Sequence, residues 1–161
     1  MKKMIPLSAH ESATLMRAIN EVRSGSTIRD SAVLVELTRW HPVRLFTSLA
    51  VVAERYLHLL DRGGVLTLAG DAQDAQHLVA LLHQAIPAES RGTETGVLNS
   101  LFATSSKQDN RTWERLAAEP DVVAVEMLQL VGAVVNLAMD IPAPQRPTLP
   151  ETLQGISAPL D

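Results

Sequence analysis

Cysteine is absent from this sequence, and aromatic residues make up only 3% of it. The absence of cysteine excludes disulfide bonds, thiolate metal sites and cysteine nucleophiles together. With so few aromatic side chains, a core must be built from Leu, Val, Ile and Ala, and abundant Ala and Leu favour helices over sheets. At 161 residues the chain has the size of one ordinary domain. We therefore expect an all-α fold.

The sequence also lacks the motifs of familiar catalytic and cofactor sites. It has no G-x-S-x-G motif, and the stretch GGVLTLAGD at 63–71 has neither the lysine of a P-loop nor the G-x-G-x-x-G spacing. The nearest approach to a metal site is Glu54 with His58, four residues apart, a pair that more commonly forms a surface hydrogen bond. The sequence therefore predicts no enzymatic activity, no cofactor and no metal.

The amino terminus does not have the pattern of a secretory signal. In MKKMIPL the apolar run is interrupted by Pro6 and ended by Ser8, whereas a signal peptide needs roughly 7–15 apolar residues. We expect a cytoplasmic protein, or one made in the cytoplasm and then assembled into a particle.

The charge is unevenly distributed along the chain. The net charge is −4, divided into +3 for residues 1–62 and −7 for residues 63–161. Such asymmetry can mark a nucleic-acid face or two surfaces that attract each other between copies, and it also arises by chance. All three interpretations stay open at this point.

Two capping boxes predict the first two helices. Ser8 followed by Glu11 has the S-x-x-E pattern, and apolar residues continue at helical spacing to about Arg23. Thr27 with Asp30 is a weaker version of the same pattern. It predicts a second helix that ends near residue 40.

A proline and a glycine pair delimit the third helix. Pro42 suits a first helical turn, where its missing N–H costs nothing. Gly63 and Gly64 end the helix. Further helices are predicted over 71–86, 97–103 and 110–118, while residues 64–70 could form either a short helix or an extended segment.

The most apolar run, DVVAVEMLQLVGAVVNLAMDIP at 121–142, is almost long enough to cross a membrane. Its polar residues fall on one narrow line of a helix, and it has no flanking basic or aromatic anchors. In a lipid-facing helix such a line of polar residues would be unfavourable. We therefore predict a soluble helix over 121–140, which is either the centre of an irregular bundle of about six helices or is shared with another subunit.

The same periodicity predicts which side chains of this helix are buried. Three apolar positions should be deeply buried, and three polar positions should keep one exposed edge. The buried set is Leu128, Val131 and Val135, and the exposed set is Glu126, Gln129 and Asn136.

After residue 141 the composition changes. Residues 142–161 contain five prolines, which predicts an extended Pro-rich tail after a single helical domain at 1–141. Pro150 and Gly155 bracket one possible helical turn. We predict that the tail docks on a surface, foremost that of a neighbouring subunit, and the alternative is a solvated tail. The candidate anchors are Leu149, Leu153, Ile156 and Leu160.

The most distinctive polar cluster is RWHPVR, at the junction of the second and third helices. Arg39, Trp40, His41 and Arg44 could bind an acidic partner or a phosphate backbone. Alternatively, Trp40 packs under the turn while the arginines cap carbonyl groups and face water.

From these features we expect a non-catalytic assembly or adaptor protein that acts through protein–protein contacts and self-associates. A component of a phage particle or of another multi-protein complex would have this build. The runner-up is a DNA-binding transcriptional regulator that uses the Arg39–Arg44 junction and reads bases with Arg44, Thr47, Ser48 and Arg55. The acidic net charge argues against DNA. An enzyme with an unfamiliar site ranks third.

Overall fold

The computed structural model describes residues 3–24, 31–62, 117–139 and 141–161, and these are mostly helical, which confirms the all-α class. The predicted helices at 71–86 and 97–103, most of that at 110–118, and residues 64–70 lie outside the described ranges. The described helices are α1 (Ala9–Arg23), α2 (Ala32–Thr38), α3 (Pro42–Arg62), α4 (Pro120–Ala138) and α5 (Leu149–Leu153). A 3-10 turn at Ala143–Gln145 precedes α5, and two short strands, β1 (Ile5–Pro6) and β2 (Ser157–Ala158), pair antiparallel.

Helix α1 begins at the predicted capping box. The Ser8 side chain accepts a hydrogen bond from the Glu11 backbone N–H at 3.1 Å, and the Ser8 N–H donates to the Glu11 carboxylate at 2.9 Å. These reciprocal bonds satisfy two backbone donors that a helix start leaves unpaired. The helix ends at Arg23, as predicted.

Helix α2 begins later than the sequence indicated. Its N-cap is Ser31, whose hydroxyl accepts from the Val33 N–H at 3.2 Å. The same hydroxyl donates to the Glu21 carboxylate on α1, which fixes the entry of α2 against α1. The Thr27–Asp30 box lies outside the described residues.

Helix α3 starts at Pro42, as predicted, and its N-cap is a histidine. The Nδ1 atom of His41 accepts a hydrogen bond from the Val43 N–H at 3.2 Å. Histidine takes the place that Ser, Thr or Asp more commonly occupies, because its unprotonated ring nitrogen is also an acceptor.

Helix α4 forms the contact surface for α1 and α3, and its apolar positions are buried as predicted. Leu128, Val131 and Val135 are each 0% exposed. The predicted exposed edge is wrong, however. Glu126 and Gln129 are only 2% and 5% exposed, and Asn136 alone of the three is partly accessible.

The end of α1 lies on the polar line of α4 at Gly132 and Asn136. A Cβ atom placed on Gly132 would come within 2.7 Å of Val22 Cγ1, so glycine is what permits this close approach. One turn further on, Arg23 Nε donates to Asn136 Oδ1 at 3.0 Å. This part of the line is therefore a seam between two helices rather than a wet edge.

One helix in the described residues, α4, is long and apolar enough to cross a membrane, by length and composition only. Of its most apolar window, 78% is buried inside the protein. A lipid-facing helix would instead present its apolar surface outward. Burial of this kind is the property of a core helix and is compatible with a soluble protein.

The C-terminal segment is not simply extended, which corrects the prediction for 142–161. The predicted helical turn is confirmed as α5, with Thr148 as its N-cap and Gly155 at φ +72° just after its end. Before it, Arg146 Nη1 donates to the carbonyls of Met139 and Ile141 at 2.9 and 3.1 Å. A cation thus caps the end of α4, where helix carbonyls lack partners.

We predict that Leu128→Ala lowers the free energy of unfolding by ~2–5 kcal/mol, because it leaves a cavity in a fully buried position. Val122→Ala on the same helix serves as the control, since Val122 is 41% exposed. Urea unfolding followed by circular dichroism measures both. A loss below about 0.5 kcal/mol for Leu128→Ala would contradict the placement of α4 in the core.

Candidate interaction site at the junction of α2 and α3

The predicted cluster at the junction of α2 and α3 divides into a buried part, which is Arg44, and an outer part, which is Arg39, Trp40 and His41. Arg44 is 4% exposed. Its Nε and Nη2 atoms donate to the two carboxylate oxygens of Glu11 at 2.8 and 2.9 Å. This two-pronged geometry matches the planar guanidinium to the planar carboxylate and is among the strongest charge-assisted arrangements.

The remaining donors of Arg44 bind both ends of the described chain. Nη1 donates to the carbonyls of Ala158 and Ile5 at 2.8 and 3.2 Å, and Nη2 donates to the Pro6 carbonyl at 3.2 Å. One side chain on α3 therefore holds β1, β2 and the start of α1 together. Arg44 therefore binds carbonyl groups, as in the second interpretation of the cluster. It differs from that interpretation in being buried rather than facing water.

This pairing shifts the ionisation of both partners. The hydrogen bonds from Arg44 lower the pKa of Glu11 from 4.5 to about 2, against the opposing effect of burial. The same bonds raise the pKa of Arg44. Both members of the pair are thus charged at neutral pH.

The two strands that Arg44 holds are paired in a register that accommodates a proline. Ile5 is opposite Ala158 and Pro6 is opposite Ser157. The Leu7 N–H donates to the Ile156 carbonyl at 3.0 Å, which makes Pro6 and Ser157 a non-hydrogen-bonded pair of the ladder. Pro6 therefore has no N–H to contribute at the one position where none is needed.

The outer part of the cluster surrounds a small apolar pocket. Arg39 and His41 are exposed, while Trp40 is half-buried against the core. The pocket has a volume of about 50 Å³, and Val122, 41% exposed, follows one of its lining residues in the first turn of α4. Its described lining residues are Thr38, Trp40, Pro42, Leu45, Phe46, Pro120, Asp121, Val123 and Ala124.

Most of the side chains on α3 that DNA reading would require are engaged within the chain. Arg44 and Ser48 are buried at 4% and 0% exposure. Arg55 Nη1 donates to the carbonyls of Thr152 and Gln154 at 2.5 and 3.0 Å. Three of the four candidate base-reading residues are thus engaged within the chain, and Thr47 is half-buried.

Three of the four predicted tail anchors are buried within the chain itself. Leu149, Leu153 and Ile156 are 8%, 4% and 2% exposed, and Leu160 is 57% exposed. In this structure the segment packs on its own chain. Leu160 is the predicted anchor that stays accessible.

The predicted surface pair on α3, Glu54 and His58, is held by a long contact. His58 Nε2 lies 3.7 Å from Glu54 Oε1, and both side chains are mostly exposed. Within the described ranges, no group of three or more His, Asp or Glu side chains is placed to hold a metal ion. The pair belongs to the solvated face of α3.

Comparisons with known proteins add no further assignment. No protein-family model matches the chain, and neither the curated proteins nor the solved structures contain a significant match.

We predict that the stabilising effect of the Glu11 charge is present above pH 4.5 and is lost as the pH falls towards 2. The folded pKa is lower than the ordinary value, so folding releases a proton from this group and acid opposes folding. A shift of this size corresponds to on the order of 3 kcal/mol. Glu11→Gln keeps the capping-box acceptor but removes the charge.

The measurement compares the free energy of unfolding of the natural chain and Glu11→Gln from pH 7 to pH 2. The difference should be large at pH 7 and shrink on acidification. Glu54→Gln is the control, because an exposed pair contributes little at any pH. A difference that is already negligible at pH 7 would show that the Arg44 pair is not a stabilising contact.

Proposed function

We propose that this chain is a non-catalytic assembly or adaptor protein that acts through protein–protein contacts and self-associates. The observation that carries the proposal is the accessible part of the junction. The charged Arg44 is engaged internally, and what stays exposed at the junction is an apolar pocket lined by the half-buried Trp40. Arg39 and Val122 are each next in sequence to residues that line it. Aromatic side chains and arginine at a small apolar depression are typical of protein interfaces.

The arrangement of this surface also suits a fixed docking role. Trp40 and Phe46 pack against the core, and Pro42 and Pro120 each begin a helix next to the pocket. A surface whose aromatic side chains are already packed loses little conformational entropy when a partner binds. The pocket is therefore suited to receive one aliphatic or aromatic side chain of a partner protein.

The runner-up function, a DNA-binding transcriptional regulator, receives less support. Its proposed reading face consists largely of side chains that bind the C-terminal segment or lie in the interior. Of the two junction arginines, Arg39 is the one left to contact a phosphate, and a single cation gives weak, strongly salt-dependent binding. The net charge of −4 acts in the same direction.

The test is the molar mass of the chain in solution, measured by light scattering at micromolar concentration. We expect a mass above that of a single chain. Val122→Glu should weaken the association by on the order of tenfold, because it places a charge beside the apolar pocket. An acidic residue in the first turn of α4 is favourable for the helix, so folding should not be impaired.

Met139→Lys is the matched control for this experiment. Met139 is 38% exposed just past the other end of α4, and a cation is favourable at that end. It should leave the association unchanged. A monomer at all accessible concentrations, or equal effects of the two variants, would contradict the proposed site, and a tight sequence-selective DNA complex at physiological salt would instead promote the regulator.

A further inference from the structure

Residues 149–158, here called the C-terminal strap, are bound by a groove formed by β1, α1 and α3. Besides the ladder between β1 and β2, four hydrogen bonds run from the groove to the strap, and all four end on backbone carbonyls. Arg55 donates to Thr152 and Gln154, Arg44 donates to Ala158, and the Leu7 N–H donates to Ile156. Between them, Leu149, Leu153 and Ile156 are buried. The strap is thus bound as a peptide ligand is bound, through its main chain and a few apolar anchors.

Most of the bonds that position Arg44 in the groove do not involve the strap. Four of the five hydrogen bonds of Arg44 go to Glu11, Ile5 and Pro6, which all belong to the amino-terminal part of the chain. The guanidinium therefore stays aimed at the position of the Ala158 carbonyl when the strap is absent. A receptor that is organised in advance binds its ligand with a smaller entropy cost.

The segment that joins α4 to the strap can place it on another molecule. Residues 139–148 span ten positions, which reach at most about 33 Å when extended. Three prolines restrict the backbone of this segment: Pro142, Pro144 and Pro147. The segment therefore gains little conformational entropy when it swings away from its own chain. The bonds from Arg146 to Met139 and Ile141 lie within the segment and involve no atom of the strap or the groove.

We propose that the strap of one copy docks in the groove of a second copy, so that two chains exchange straps. Every contact between strap and groove is the same in the exchanged and the closed forms, so their balance depends on the hinge and on concentration rather than on new chemistry. The proposal rests on the proposed self-association and adds a second contact beside the junction pocket. A strap received from a neighbour satisfies both Arg44 and Arg55 as the chain's own strap does.

The absence of cysteine gives a clean test. Pro6 and Ser157 form a non-hydrogen-bonded pair, whose Cα atoms are typically about 4.5 Å apart, within the range that a disulfide bridges. Full-length Pro6→Cys and isotopically labelled full-length Ser157→Cys are mixed at the concentration where the chain associates, equilibrated, and oxidised. Mass spectrometry then identifies the disulfide between an unlabelled and a labelled chain.

We expect the mixed disulfide in at least about tenfold excess over a control mixture in which Met139→Cys replaces Ser157→Cys, since Met139 lies outside the sheet. Equal yields in the two mixtures would overturn strap exchange. Light scattering on the same samples separates the two proposals. Oligomers without the mixed disulfide reject exchange and leave the junction contact standing, whereas monomers alone reject both.

Discussion

The fold depends on one ion pair that links residues distant in the sequence. The Glu11 carboxylate caps the start of α1 and at the same time receives two bonds from Arg44 on α3. Because Arg44 also binds carbonyls of both strands, the ends of the chain are fastened to the helices through a single guanidinium. Removing one member of such a buried pair leaves the other charge without compensation, which costs more than the pair itself contributes.

This pair also determines which surfaces are available to partners. With Arg44 directed inward, the junction of α2 and α3 presents Arg39, His41 and an apolar pocket. Arg44 and Arg55 on α3 donate to carbonyls of the C-terminal strap, while Glu54 and His58 on the same helix stay exposed. The same two arginines thus hold the strap in place, and the junction pocket stays accessible.

Local signals in the sequence predicted the elements well, because their causes are local. The Ser8–Glu11 box, Pro42 at the start of α3 and the single turn between Pro150 and Gly155 each depend on residues within one or two turns. The caps made by Ser31 and His41 were missed. Serine is common in loops as well as at caps, and histidine is an unusual N-cap.

The contacts between elements could not be predicted in the same way. Glu11 and Arg44 are 33 residues apart, and Glu11 already has a sufficient local role in its capping box. The polar line of α4 has the same spacing whether it faces water or another helix. Gly132 was the one cue to a seam, because a glycine inside a helix is unfavourable unless another backbone must approach.

The central claim is that Arg44 fastens the two ends of the chain, and amide hydrogen exchange at Leu7 tests it most directly. The Leu7 N–H bonds to the Ile156 carbonyl across the two strands, so it reports whether they stay paired. In Arg44→Met its protection should fall by about tenfold or more through local opening, while the amides of α4 stay protected. Arg39→Met should leave it unchanged, because Arg39 is exposed. Equal protection of Leu7 in both variants would contradict the account.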